Sequence, residues 1–247
     1  MKEYLIKVNT RMYDKKMTIL SELNLKKSTP HRYIDKIITN VFDISPSHIA
    51  IPGNLYCNND IDIDKTNYLL EELSKIAPIF YVRGEEPKID GLIENDNINY
   101  IGDKDHCKNF YSDSINIFGM RLNSTYYEKT LEERKETLIN YKMFLDELKK
   151  QNERETVNVL LCYDSLIWKL YDELDLSIYD LVITSNNYHN KEQTIQINNT
   201  LFFFADSINS KHFNLLNVLQ DDINIDTLNI RYNTKNKVIA RIRKRYQ

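Results

Sequence analysis

The chain is poor in cysteine, glycine and proline, and each shortage argues against a class of protein. It contains three cysteines, five glycines and five prolines in 247 residues. An odd number of cysteines without CxxC spacing argues against a disulfide framework and against a zinc knuckle. Because no Pro/Gly/Ser-rich linker interrupts the sequence, we expect residues 1–247 to form a single domain.

Long apolar runs and an excess of one charge are also missing. Nowhere do ~18 apolar residues follow one another, and the N-terminal stretch MKEYLIKVNTRMYDKK carries charges throughout. We therefore expect neither a membrane span nor a signal peptide. The net charge of −3 gives no overall electrostatic reason to expect nucleic acid or an anionic membrane as a partner. These absences, together with the few cysteines, favour a cytoplasmic protein.

The chain does contain short apolar runs that alternate with segments of helical period, a pattern typical of an α/β protein in which helices cover strands. Strands are predicted at 17–20, 48–51, 78–84, 114–122, 156–163, 179–185, 194–197 and 200–205, with shorter ones near Ile98 and Phe110. One helix is predicted to begin with Thr29 as its N-cap and Pro30 at its first position. Three further helices are predicted over 65–77, 126–154 and 164–174.

The last part of the chain, residues 222–247, is predicted to be a β-hairpin that belongs to the same domain, with its turn at 233–236. Its final stretch, KNKVIARIRKRYQ, carries six cations. These cations could contact nucleic acid, but Lys and Arg are also typical of the solvent face of an edge hairpin. We therefore regard a nucleic-acid partner as the weaker interpretation.

Polar residues are concentrated in five loops that follow predicted strands. In order they read LSELNL (20–25), IPGNLYCN (51–58), YVRGEEP (81–87), NVLLCYDSLIW (158–168) and DLVITSNNYHN (180–190). Ligands of open α/β sheets bind outside the carboxyl ends of the strands. We therefore expect functional residues in these first to fifth loops.

The order and spacing of the five loops, with their flanking apolar strands, resemble the calcineurin-like metallophosphoesterases, in particular their small bacterial branch. That family carries S-D-x-H, G-D-L, G-N-H-E, a histidine after an apolar strand, and G-H-x-H in the same order. The resemblance covers roughly residues 17–205. It implies a four-layer α/β/β/α sandwich of two mixed sheets. In active members it also implies two metal ions that activate a bridging hydroxide and bind the phosphate oxygens.

At the motif positions that would ligate metal or act on the leaving group, the chain carries other residues: Glu22, Asn24, Asn54, Glu85, Glu86, Tyr163, Asn186 and Tyr188. Asn54 stands where the resemblance implies an aspartate that bridges both metals. The scaffold positions keep their residues: Ser21, Leu23, Gly53, Leu55, Gly84, Leu160, Leu161 and Val182. The resemblance therefore implies a catalytically inactive homologue, a pseudoenzyme, that binds a protein partner or a phosphorylated ligand, without catalytic residues and without a di-zinc, di-iron or di-manganese centre.

The donors that remain at these positions are oxygens and amides, which leaves a second hypothesis open. Sites for zinc, iron or manganese rely on imidazole and bridging carboxylate ligands. The carboxylates of Glu22, Glu85 and Glu86 would repel one another unless a cation lies among them. That cation is either Arg83 or Arg121, from nearby strand ends, or a single weakly bound hard ion such as magnesium or calcium. The alternative function is thus a residual phosphoesterase or phosphodiesterase with a single-cation site.

Three further features are weaker candidates. His189 lies one residue beyond the last family histidine and could replace it through a register slip, although an ordinary loop histidine is the simpler reading. The segment DKDHC at 103–107 could bind a metal, but without a second cluster it is more typical of a polar turn. Cys162 follows an apolar strand and could be a nucleophile, yet such cysteines are usually small core residues.

Overall fold

The structure is a computed structural model, and it describes residues 5–6, 15–57, 59–102, 110–112, 115–122, 126, 129–149, 157–185, 194–205, 212–218, 223–229 and 235–238. The strands in these residues, in chain order, are β1 Leu5–Ile6, β2 Lys15–Ile19, β3 His48–Pro52, β4 Ile79–Val82, β5 Ile98–Tyr100, β6 Phe110–Ser112, β7 Ile115–Met120, β8 Val157–Cys162, β9 Leu181–Thr184, β10 Thr194–Ile197, β11 Thr200–Phe204, β12 His212–Val218, β13 Ile223–Asn229 and β14 Lys235–Val238.

The strands form two mixed sheets. The first has the order β1-β13-β12-β2-β3-β4-β5, with β14 paired to β13, and the second has the order β10-β11-β9-β8-β7-β6. Strands β2 to β5 run parallel in the first sheet, and β7, β8, β9 and β11 run parallel in the second. The remaining pairings are antiparallel.

Helices cover the outer face of each sheet. They are α1 His31–Ile44, α2 Ile63–Ser74, α3 Leu131–Lys149 and α4 Tyr171–Leu174. The first two pack on the first sheet, and the last two pack on the second. The predicted α/β/β/α sandwich of two mixed sheets is therefore confirmed. No helix in the described part of the chain is long and apolar enough to cross a membrane.

Strands near the centre of each sheet are buried on both faces, and this explains their unbroken apolar sequences. In β3, Ala50 packs between the sheets, whereas Ile49 and Ile51 pack beneath α1 and α2. In β8, Leu161 packs between the sheets and Leu160 packs beneath α3 and α4. The two sheets share one central apolar layer, which brings the loops after β2, β3, β4, β8 and β9 together at one edge.

The beginning of α1 differs from the prediction by one residue. Pro30 is the N-cap, in an extended conformation without a side-chain cap, and His31 is the first helical residue. The Thr29 hydroxyl, which was predicted to cap the helix, instead accepts a hydrogen bond from the Lys26 amide at 3.0 Å. The side chain closes the preceding turn and is not available to the helix.

The predicted helix over 126–154 begins later, at Leu131. The Thr130 amide donates to the Glu133 carboxylate at 2.8 Å, and the Glu133 amide donates back to the Thr130 hydroxyl at 3.4 Å. This reciprocal pair is a capping box, which defines the start of α3. The predicted helix over 164–174 is divided into a 3₁₀ turn, Ile167–Leu170, followed by α4.

The C-terminal hairpin differs from the prediction at one end of its turn. Asn236, which was placed in the turn, lies in β14 opposite Thr227 of β13, and Lys235 lies opposite Leu228. The second strand of the hairpin thus begins before the predicted turn ends. Residues 239–247, with most of the basic stretch, lie outside the described residues, so the extent of the domain stays a prediction.

Candidate functional site

The first and second loops are joined through their backbones at the shared edge of the sheets. Glu22 and Asn24 have left-handed backbones, with φ of 53° and 46°. The Asn24 amide donates to the Asn54 carbonyl at 3.0 Å, and the Leu25 amide donates to the Leu55 carbonyl at 3.1 Å. Non-glycine residues adopt this backbone region at a cost and mostly where neighbouring contacts hold them. The turn brings the side chains of the two loops to one side.

The Glu22 carboxylate is the buried anion of the site, with 4% of the residue exposed. Its Oε1 accepts from the Asn54 amide at 3.2 Å and lies 3.1 Å from the Ser185 hydroxyl. Its Oε2 accepts from the Asn54 side-chain amide at 2.9 Å and from that of Asn24 at 3.2 Å. A carboxylate offers about four acceptor positions. Three N–H groups donate to them here, and the single proton of the Ser185 hydroxyl is shared between Glu22 and the Tyr163 carbonyl.

The Asn54 side chain connects this anion to the third loop. Its Oδ1 accepts from the backbone amides of Glu85 at 2.8 Å and Glu86 at 3.2 Å. These two N–H groups fix the oxygen, so the NH₂ group faces Glu22 and the Tyr163 hydroxyl, which lies 3.5 Å away. An amide can satisfy donors on one side and an anion on the other, whereas a carboxylate cannot.

Two glycines allow the loops to approach this closely. A Cβ on Gly53, whose φ is 100°, would lie 2.2 Å from Glu22 Oε1 and 2.5 Å from Ser185 Oγ. A Cβ on Gly84 would lie 2.5 Å from Asn54 Oδ1. Both positions therefore require glycine as long as the polar network is present.

Glu86 lies on the other side of Asn54 and is fully buried. Its Oε1 accepts from the Leu55 amide at 2.8 Å and from the Tyr81 hydroxyl, whereas Oε2 has no hydrogen-bond partner among the described residues. Burial raises the pKa of Glu86 to about 7, opposed by the bonds to Tyr81 and Leu55 and reinforced by the charge of Glu22. Near neutral pH this carboxyl is thus partly protonated.

Tyr163 closes the site from the second sheet, with 5% of the residue exposed. Burial raises the pKa of its phenol well above the usual range, and the charges of Glu22 and Glu85 act in the same direction. The phenol therefore stays neutral across physiological pH. A neutral phenol is a much poorer ligand for a cation than the histidine that the family resemblance implies at this position.

The two arginines that were predicted as possible counter-charges lie in different surroundings. Arg121 donates from Nε and Nη2 to the Gly84 carbonyl, at 3.3 and 3.2 Å, and so contacts the third loop. Arg83 lines a separate cavity on the helix side of the first sheet. Among the described residues, no group of three or more His, Cys, Asp or Glu side chains is arranged to hold a metal ion. Glu22, Glu85 and Glu86 therefore do not form such a group.

The structure brings together Glu22, Asn24, Asn54, Tyr163 and the amides of Glu85 and Glu86, as the linked loops require. Asn186, Tyr188, His189 and the segment 103–107 lie outside the described residues. Cys162 is a fully buried core residue, and burial raises the pKa of its thiol to about 12, which does not favour a nucleophile.

Ser185, in the fifth loop, contributes to the site although it was not among the predicted site residues. Its hydroxyl lies between Glu22 Oε1 and the Tyr163 carbonyl, at 3.1 and 3.0 Å. Tyr81, which contacts Glu86, was also missed. Strand alternation was the available signal, because Phe80 and Val82 face the other sheet and Tyr81 must face the opposite way.

No family model matches the sequence, and no curated protein sequence is similar to it. The fold does have solved relatives. TT1561 of Thermus thermophilus is 12% identical with a TM-score of 0.56, over 88% of this chain and 99% of that one. GAP50, described as the anchor in the inner membrane complex of Plasmodium, is 12% identical with a TM-score of 0.59, over 94% and 90%.

A third similar structure is the sulfate thiohydrolase SoxB of Thermus thermophilus, in complex with glycerol. It is 9% identical with a TM-score of 0.56, and the match covers 92% of this chain but 58% of SoxB. TT1561 and SoxB have metallophosphoesterase-like folds. At these identities the similarity establishes the fold alone, and it agrees with the sandwich that the five loops predicted.

Replacing Asn54 by aspartate tests whether an amide is required between Glu22 and the third loop. In Asn54→Asp a carboxylate oxygen replaces the NH₂ that lies 2.9 Å from Glu22 Oε2. We expect a loss of about 2–3 kcal/mol in the free energy of unfolding at neutral pH, because one donor is lost and two carboxylates face each other. Urea denaturation measures it, without added divalent ions.

The matched control is Asn199→Asp, at an exposed position in the turn between β10 and β11. We expect this variant to change stability by less than about 0.5 kcal/mol. Equal losses at the two positions would show that the amide of Asn54 has no special role.

The buried carboxyl of Glu86 predicts a pH-dependent stability. Its folded pKa of about 7 lies above the ordinary value of 4.5, so the folded protein keeps a proton that the unfolded chain has lost. Stability should therefore fall by up to about 3 kcal/mol as the pH rises from about 4.5 to about 7. In Glu86→Gln this part of the slope should disappear, as urea denaturation across that range would measure.

A constant offset caused by the new amide does not affect this slope. Glu132→Gln, on an exposed part of α3, is the control and should keep the wild-type slope. If Glu86→Gln also retained the wild-type slope, the pKa of Glu86 in the folded protein would have to equal its ordinary value of 4.5.

Proposed function

We propose that this chain is a catalytically inactive protein of the metallophosphoesterase-like fold that acts by binding a protein partner or a phosphorylated ligand. The observation that carries the proposal is the Asn54 amide. It links Glu22 to the backbone amides of Glu85 and Glu86 at the position where the family resemblance implies a metal-bridging aspartate.

The hydrogen bonds of Glu22 argue against a metal at this position. Both oxygens of the carboxylate accept hydrogen bonds from N–H groups of Asn24 and Asn54, and the Ser185 hydroxyl lies 3.1 Å from Oε1. A cation on this group would have to displace at least one of these bonds inside a buried site, where an unpaired donor costs about 1–3 kcal/mol. The donors satisfy the anion without a metal.

The other substitutions support the same proposal. A neutral amide at Asn54 is a poor bridge between two cations, and Tyr163 offers a protonated phenol. In the family mechanism it is the bound metal that lowers the pKa of water and supplies hydroxide at neutral pH. Because these two positions do not favour metal binding, hydrolysis by that mechanism is not expected.

A binding role is consistent with the described roles of the fold relatives. One of them, GAP50, is described as an anchor, and another, SoxB, is described as a thiohydrolase. The same architecture is thus associated with anchoring as well as with hydrolysis. The identities of 12% and 9% transfer neither role, so the proposal depends on the network around Asn54.

Metal content and turnover together test this proposal. We expect the purified protein to contain no stoichiometric transition metal and to leave bis(p-nitrophenyl) phosphate intact in Mn²⁺, Mg²⁺ and Ca²⁺, since the residues around Asn54 do not favour a metal bridge or the hydroxide it would generate. Elemental analysis and release of p-nitrophenol are the measurements.

Glu85→Gln, with Glu132→Gln on exposed α3 as its control, separates the alternative single-cation hydrolase from contamination. Stoichiometric metal and metal-dependent turnover that vanish in Glu85→Gln but persist in Glu132→Gln would overturn the proposal and establish the residual hydrolase. Turnover that persists equally in both variants would come from a contaminant, and the proposal would stand.

A further inference from the structure

A cavity of about 300 Å³ lies on the helix side of the first sheet, beside the ends of β3, β4 and β5. Tyrosines contribute much of its wall: Tyr56 follows β3, Tyr81 lies in β4 and Tyr100 ends β5. None of the residues that form the polar network around Asn54 lines it. Its volume is within the range of small-molecule sites, which are mostly apolar with a few placed polar groups.

The segment 87–93, which we call the strap, forms one wall, and the side chains of Tyr56, Asn67 and Tyr100 hold it. The Tyr56 hydroxyl donates to the Pro87 carbonyl, and the Tyr100 hydroxyl donates to the Ile93 carbonyl at 2.6 Å. The Asn67 side chain on α2 donates to the Gly91 carbonyl at 2.8 Å and accepts from the Ile93 amide at 2.9 Å.

Together with the bond from Tyr81 to Glu86 just before the strap, these contacts fix an irregular segment around an open space. The hydroxyls of Tyr56 and Tyr100 donate to the strap and that of Tyr81 donates to Glu86, while the three residues line the cavity. A wall that is fixed before a ligand arrives lowers the ordering cost of binding.

The charged residues of the lining are Arg83, Lys88, Asp90 and Glu94. Burial raises the pKa of Tyr56 to about 12, and the charge of Arg83 opposes this effect. Burial also raises the pKa of Tyr100 to about 12, and the charge of Glu94 acts in the same direction. The lining therefore carries charges of both signs beside its tyrosines and is neutral in sum.

We propose that this cavity binds a small aromatic anion that also carries an amino or hydroxyl donor. The ring packs against the faces of Tyr56, Tyr81 and Tyr100, the acidic group pairs with Arg83 and Lys88, and the donor reaches Glu94. Planar anions suit the guanidinium fork of Arg83. The site is separate from the network around Asn54 and does not depend on whether that network is inactive.

The arrangement disfavours two other ligand classes. A purely cationic ligand of the kind that aromatic cages bind would face the charges of Arg83 and Lys88. A purely apolar ligand would bury the charged side chains of the lining further without offering them a hydrogen bond, which costs free energy. A ligand with both an acidic group and a donor offers hydrogen bonds to charged groups of both signs in the lining.

Calorimetric titration of the full chain with p-aminobenzoate, benzoate and aniline tests the proposal. We expect p-aminobenzoate to bind with one site per chain, and benzoate and aniline to bind at least about tenfold more weakly, since each lacks one polar end. Lys88→Gln and Glu94→Gln, both at exposed positions, should keep the fold and weaken p-aminobenzoate about tenfold.

Selectivity provides the sharper readout. Glu94→Gln should weaken p-aminobenzoate but leave benzoate unchanged, whereas Lys88→Gln should weaken both. Lys75→Gln, at the end of α2 and outside this cavity, is the control and should change neither. The absence of saturable binding, or equal affinity for all three probes in every variant, would overturn the proposal. Stoichiometric metal together with metal-dependent turnover of bis(p-nitrophenyl) phosphate that is lost in Glu85→Gln would overturn the proposed function and leave this inference intact.

Discussion

The amide of Asn54 is the contact on which the polar centre of this protein depends. Three loops from the first sheet meet there, and each brings groups that need a partner: the Glu22 carboxylate needs donors, and the amides of Glu85 and Glu86 need an acceptor. A side-chain amide is the smallest group that supplies both from opposite ends. The network is therefore consistent without any cation, and removing the amide would leave both sides unsatisfied.

The sandwich makes this contact possible because it fixes the loops from beneath. The carboxyl ends of β2, β3 and β4 lie side by side in one parallel sheet, and β8 and β9 end at the same edge of the other. Gly53 and Gly84 remove the side chains that would otherwise separate the loops. The close approach of the loops, the positive φ of Gly53 and the burial of the Glu22 carboxylate therefore occur together.

The alternation of strands and helices and the loops of the site could be predicted from periodicity, whereas the four-layer arrangement of two sheets came from the family resemblance of the five loops. Unbroken apolar runs such as the one around Ala50 indicated strands buried on both faces, and polar residues after them indicated the shared edge. Hydrogen-bond competition at helix starts was harder to predict: Thr29 is engaged in a preceding turn, and Thr130 forms a capping box that shortens α3. Partner choice within the site, such as Ser185 with Glu22, depends on contacts 163 residues apart in the chain, which no local pattern contains.

Glu86 lies between the polar network around Asn54 and the cavity, and it contacts residues of both. Its Oε1 accepts from Tyr81, whose ring lines the cavity, and its Oε2 would lie 2.9 Å from a Cβ on Gly84, on the side of Asn54. Burial raises the pKa of Glu86 to about 7, because the hydrogen bonds from Tyr81 and Leu55 offset only part of the cost of desolvating the charged form. A change at Glu86 therefore acts on the network and on the cavity wall together, whereas Asn54 belongs only to the network and Lys88 only to the cavity.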